Sequence, residues 1–181
     1  MNHAHGRERI KHEYFKRAML YGALFFLLSI LQCSFFAILR PFGAIPAFVL
    51  GALCAVALLD RPEETFATSI GAGFLLDAIG STGLCLSPLL FLLFSTLLIA
   101  VSRKMIPSFL SFAVLLLFAS AVAVAHTLLT LLLAGVPEAL LPWLRHHALG
   151  EWAGTFLFSL PLYFPVLLCL RIAKAKGQFR L

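Results

Sequence analysis

The sequence predicts an all-α, polytopic membrane protein of about six transmembrane helices, and three observations carry that prediction. Hydrophobic residues fill 61% of the 181 positions and charged residues only 12%, with a mean hydropathy of +0.99. A soluble domain of this length could not cover its surface with so few polar groups. Apolar runs long enough to cross a bilayer recur along the chain, separated by short polar turns. The basic residues are also lopsided. If the spans alternate, Arg7, Arg9, Lys11, Lys16, Arg17, Arg61, Arg103, Lys104, Arg171, Lys174, Lys176 and Arg180 share one side, leaving Arg40 and Arg145 on the other. The positive-inside rule makes the first side cytoplasmic and puts both termini there.

The elements follow in order. Residues 1–17 are polar and basic and form a partly ordered cytoplasmic tail. Residues 18–170 form one transmembrane domain, and residues 171–181 a second basic tail. Helix one covers 18–39 and stops at the Arg40-Pro41-Phe42-Gly43 turn. Helix two covers 44–59, with Pro46 in its first turn, where a missing N–H costs least. The Asp60-Arg61-Pro62-Glu63-Glu64 turn leads to helix three at 65–79, broken by Gly80-Ser81-Thr82-Gly83. Helix four covers 88–101, Arg103-Lys104 turns the chain, and helix five runs from Pro107 to Ala134. In the connection from Pro137 to Gly150, the apolar stretch Leu140, Leu141, Trp143 and Leu144 precedes Arg145, His146 and His147. That order predicts a short helix in the outer interface, with Trp152 at the same level. Helix six covers 151–170. Helices two, three and four are short for spans, so their ends extend into the turns or the bilayer thins around them.

The net charge of +6 is concentrated in the two tails. There it sets topology and meets anionic lipid, and no motif supports nucleic-acid binding. Cys33, Cys54, Cys85 and Cys169 have no metal-site or redox spacing, and no disulfide is expected. The first apolar run is too long for a signal-peptide core, and no small-x-small cleavage site follows it. It is expected to stay as an anchor.

Asp77 is the most informative residue. A carboxylate in a span costs about 2.5–3.5 kcal/mol on insertion scales and is normally turned inward to a partner. Counted from Glu64, it lies roughly 20 Å across, in the outer half. One reading is a carboxylate hydrogen-bonded to Ser81 or to backbone N–H groups of the following turn. The other is a proton, ion or partner-helix contact. His126 also falls in the outer half, facing either Asp77 or a hydroxyl such as Thr127 or Thr130. Ala67, Gly71 and Gly73 form a small-residue stripe whose ordinary meaning is close helix packing. No enzyme template, Gly-rich phosphate loop or metal motif is present, and no cofactor is expected. The adjacent pair His146-His147 cannot face one ligand from a helix.

Pro46, the glycines Gly71 and Gly73, and the run Leu75-Leu76-Asp77-Ala78-Ile79-Gly80-Ser81 with Gly83 together resemble the bacterial rod shape-determining protein MreD family. Pro161 and Pro165 before a basic tail are similar too. Ala47 departs from the pattern, because many members carry a polar residue after the early proline. The resemblance implies a fold similar to the substrate-binding subunits of vitamin (energy-coupling factor) transporters. It implies a non-enzymatic inner-membrane component of the cell-wall elongation complex. The implied partners are a single-span MreC-like protein, together with MreB, RodA and its penicillin-binding transpeptidase. The alternative is a solute-binding subunit of such a vitamin transporter, with Asp77, His126, Arg145 and His147 lining an outer pocket. An intramembrane enzyme using Asp77 and His126 lacks a nucleophile or metal set.

Overall fold

The computed structural model describes residues 2–80, 87–133, 135, 138 and 140–174. Ser81, Gly83 and Cys85 lie outside the described residues, as does the chain from 175 onward. The described residues are helical throughout their regular elements. In order these are α1 (Asn2–Ile30), α2 (Phe36–Leu39), α3 (Phe48–Leu59), α4 (Pro62–Gly80), α5 (Ser87–Ser102), α6 (Phe109–Leu133), α7 (Leu140–His146), α8 (Ala148–Ser159) and α9 (Tyr163–Lys174). A π-helical turn at Leu31–Phe35 joins α1 to α2, and a 3-10 turn at Leu160–Leu162 joins α8 to α9. Three helical stretches are long and apolar enough to cross a membrane: Tyr14–Leu39, Phe109–Leu133 and Ala148–Ala173.

The boundaries differ from the sequence reading where local chemistry was misjudged. The helix containing the first apolar run begins at Asn2 rather than Ala18. No proline interrupts the chain before Pro41, so nothing in the polar start breaks the helix. α4 starts at Pro62, earlier than Thr65, because proline suits the first helical position and Glu63 and Glu64 favour a helix N-terminus. α6 starts at Phe109, just after Ser108, whose hydroxyl accepts the Ser111 N–H at 3.1 Å and caps the helix. α8 starts at Ala148, and the helix is interrupted at Pro161, which has no N–H to continue the ladder. The short helix predicted around Trp143 is present as α7.

α3 is the axis of the bundle. Every residue from Phe48 to Leu58 is buried. Twelve residues rise only about 18 Å. A helix wrapped in protein need not match the hydrocarbon thickness, which explains why this run is short and nearly uniformly apolar. Two side chains from distant elements satisfy its first amides. Thr155 Oγ1 accepts the Ala47 N–H at 2.9 Å, and Gln32 Oε1, in the π-turn, accepts the Val49 N–H at 3.2 Å. The π-turn therefore has a local purpose: it points Gln32 at the end of α3. Phe36, Phe48 and Phe158 pack edge-on around this end, with Phe36 centroids 4.6 Å and 5.5 Å from the other two.

α4 and α5 pair closely. A Cβ on Gly73 would sit 2.5 Å from Pro88 Cα, so only glycine lets α5 begin there. Ser69 and Ser95 meet at 3.3 Å further along. The small-residue stripe is thus split. Gly73 makes the expected close contact, while Ala67 and Gly71 are exposed and Gly71 faces open space. A stripe at helical spacing says that some face is small, not which face meets a neighbour.

A buried polar cluster closes one end of the bundle. Arg17 Nη1 and Tyr21 Oη donate to Asp60 at 3.1 and 2.8 Å, and the Arg61 N–H donates to the same carboxylate at 2.9 Å. The Arg17 and Asp60 side chains are only 8% and 2% exposed. Asp60 thereby ties α1 to the α3–α4 turn. Arg17, grouped by sequence with the topology-setting tail charges, is also a packing residue.

Candidate polar cavity

At the opposite end, the turn after α2 is tightly wound. Arg40, Phe42 and Gly43 all have positive φ, 39°, 58° and 79°. Only Gly43 is suited to that region, so Arg40 and Phe42 hold strained backbone. Packing keeps them there. His147 Nδ1–H donates to the Gly43 carbonyl at 2.9 Å, and Gly150 leaves room for the Phe42 carbonyl, which a Cβ would strike. Pro46 is buried beyond this turn, near Gly154, where a Cβ would lie 3.6 Å from the Pro46 ring.

Below the turn lies a cavity of about 810 Å³, within the range of small-molecule sites. Its polar wall includes Gln32, Arg40, Asp77, His126, His147 and Glu151, and Trp143 of α7 also lines it. Asp77 is half-buried, and its Oδ2 accepts the Ser87 N–H at 3.1 Å. Asp77 therefore binds the first backbone amide of α5 and holds the start of α5 to the end of α4. Its carboxylate also interacts electrostatically with His126.

His126 is half-buried, 5.9 Å from the Phe91 ring. The hydroxyls expected to satisfy it are used elsewhere. Thr130 donates to the His126 main-chain carbonyl, and the single Thr127 hydroxyl proton lies between two acceptors, Ala123 O at 3.3 Å and Glu151 Oε1 at 2.8 Å. His126 Nε2 is buried without a hydrogen-bond partner. Arg145, the other expected wall residue, is exposed on α7 and does not line the cavity. It precedes His147 by two positions, which on a helix turns a side chain to another face.

Glu151 is the residue that sequence reasoning missed. It stands in the first turn of α8, 6% exposed, with its carboxylate held by Thr127 across from α6. Its place at a predicted helix start made it resemble an ordinary N-terminal acid. The available signal was its isolation, since it is the last acidic residue in the chain and stands beside a long apolar run. Among the described residues, no group of three or more His, Cys, Asp and Glu side chains could hold a metal ion.

The described residues form an all-α structure with three helices long and apolar enough to cross a membrane, and it turns a few ionisable side chains, Asp77, His126 and Glu151 among them, toward one cavity. Comparison with protein-family models, with curated proteins and with solved structures finds no match to the chain.

Proposed function

We propose that this chain is a non-enzymatic component of a bacterial cell-wall elongation complex, of the MreD type. In this reading it sits in the inner membrane with six spans and both termini cytoplasmic, in a fold similar to vitamin-transporter binding subunits. It scaffolds peptidoglycan synthesis and cell shape by holding the helix of a single-span MreC-like partner, alongside MreB, RodA and its penicillin-binding transpeptidase. The observation that carries the reading is a placement. Asp77, the carboxylate of the run that resembles the family, lines an inward-facing cavity together with Leu76 and Ile79 of the same run. A run that served only as a local turn would have no need to line it. Outward apolar surface for a partner helix is plentiful: in the most apolar part of the first long helix, only 22% of residues are buried.

Asp77→Asn tests the reading. Asn keeps an acceptor for the Ser87 amide and loses the charge. The variant is expected to accumulate in the membrane at wild-type level and to fail to restore rod shape in depleted cells. Full complementation at native expression would make the charge dispensable and leave Asp77 a structural cap. Crosslinkers on the helix ends near Arg40 and Trp143 should capture the MreC-like protein, and crosslinks confined to the tails would contradict the docking mode.

The proposed topology has its own measurement. With single cysteines at His5, Gly83 and Gln178 of a Cys-free variant, an impermeant thiol reagent on intact cells should label only the one at Gly83. Labelling at Gln178 would rule out an even number of spans.

The cavity favours a second reading, a solute-binding subunit of an energy-coupling-factor-type vitamin transporter. Co-purification with an energising ATPase separates it from the first.

A further inference from the structure

The cluster that ties α1 to the α3–α4 turn contains two carboxylates and treats them unequally. Asp60 accepts from Arg17 Nη1, Tyr21 Oη and the Arg61 N–H. Glu64, in the first turn of α4, is 7% exposed, and its Oε1 is buried without a hydrogen-bond partner. A glutamate at the third position of a helix ordinarily reaches back to the amide of the capping residue. Here the capping residue is Arg61, whose carbonyl accepts the Thr65 N–H. Its own amide is already taken by Asp60 Oδ1 at 2.9 Å. Arg17 does not compensate. Its Nη1 is bound to Asp60 at 3.1 Å, and its buried Nε has no partner either, so Arg17 and Glu64 do not meet.

The charges around Glu64 give it no cation of its own. Arg17 comes from α1, Asp60 and Arg61 from the turn, and Glu63 from α4 itself. Arg61 is exposed and donates to Tyr14 Oη at 2.8 Å. α3 brings no charged side chain, and Arg103 and Lys104 at the end of α5 are exposed. One buried guanidinium therefore serves two buried carboxylates, and the geometry gives it to Asp60. An ionised carboxylate without a partner is costly at such a site, and a proton removes that cost. Burial first and the Asp60 carboxylate second push the Glu64 carboxyl above its ordinary range, against the opposing pull of Arg17 and Arg61. The small exposure that remains gives protons a way in.

We propose that Glu64 is the proton-binding residue of a clasp that fastens α1 to the α3–α4 turn most firmly when Glu64 is protonated. A carboxyl that binds its proton more tightly in the folded protein adds stability as pH falls. That contribution is complete below the ordinary glutamate value of about 4.3 and is lost as pH rises through the higher folded value. The clasp thus loosens toward alkaline pH in the compartment that bathes the turn. The inference goes beyond the scaffold reading and depends neither on the partner nor on the cavity.

Spin labels at Phe15 of α1 and Arg103 of α5, both exposed, test it in the otherwise Cys-free full chain in mild detergent. Between about pH 5 and about pH 8.5 the distance distribution is expected to broaden. Glu64→Gln, which cannot ionise, should keep the narrow distribution throughout. Glu64→Met is the second such variant and should behave alike. Thermal unfolding supplies an independent readout. Glu64→Gln should unfold with wild type near about pH 5 and above it near about pH 8.5, by about 4 °C for each tenfold that folding adds to the proton affinity. A wild-type distribution that does not change with pH overturns the proposal without relying on any variant. A folded Glu64→Gln protein that broadens as wild type does, or whose midpoint follows the wild-type pH dependence, overturns it as well.

Discussion

Replacing Asp60 with Ala is expected to destabilise the protein by about 3–5 kcal/mol, the cost of removing one partner from a buried ion pair. The carboxylate accepts from Arg17, Tyr21 and the Arg61 amide at once. Its loss strands a guanidinium that is 8% exposed and whose Nε already lacks a partner. Glu64 is buried nearby, with Oε1 also unpartnered. Thermal unfolding in mild detergent should show a midpoint lowered by about 10 °C, at roughly 2–4 °C per kcal/mol for a chain of this size. Asp60→Asn keeps an acceptor for Tyr21 and should fall between the wild type and Asp60→Ala. A double variant, Arg17→Met with Asp60→Leu, should recover part of the loss, because an apolar pair removes the stranded charge but leaves the buried Tyr21 hydroxyl without its acceptor. A shift under about 1 kcal/mol for Asp60→Ala would mean that water solvates the cluster and that it does not tie α1 to the bundle.

The second large effect is expected at Gly51. A Cβ there would overlap Ser159 Cβ and Oγ and touch Leu116 Cδ1 at 3.4 Å. Ser159 Cβ is fixed to its backbone, so it cannot swing aside as a side-chain tip would. α3 is buried along its length, so it has no free direction in which to retreat. Gly51→Ala should therefore cost about 1–3 kcal/mol from overpacking, despite the better helix propensity of alanine. Gly51→Leu should prevent accumulation of folded protein altogether. The contact predicts its own repair: Ser159→Gly in the Gly51→Ala background should be more stable than Gly51→Ala alone. That gain must exceed the roughly 1 kcal/mol that glycine costs in a helix. A neutral Gly51→Ala, measured by the same unfolding assay, would refute the tight α3–α8 approach.

Both predictions involve residues whose importance the sequence leaves hidden, and the reason is physical. Composition and hydropathy determine the class of this protein, because the solvent around a bundle imposes apolar runs of a given length whatever the packing inside. The same logic places the turns at Arg40–Gly43 and Asp60–Pro62, and the short helix around Trp143, since proline, glycine and local polarity act over a few residues. Asp77 and His126 stand out for a related reason: ionisable groups inside apolar runs are costly anywhere. Partner identity is different. That Asp77 accepts from Ser87, that Glu151 faces Thr127, that Gln32 caps α3 and that Arg17 meets Asp60 each join residues ten to forty-three positions apart. Such pairings depend on which faces meet, and periodicity cannot rank equivalent small or apolar faces. The same limit explains Gly71 and Gly73, two residues apart on one helix, one exposed and one pressed against Pro88. The sequence alone determined a helical membrane protein with a few inward polar groups. Only the tertiary structure decided that those groups surround one cavity, because a cavity is a property of the space between helices.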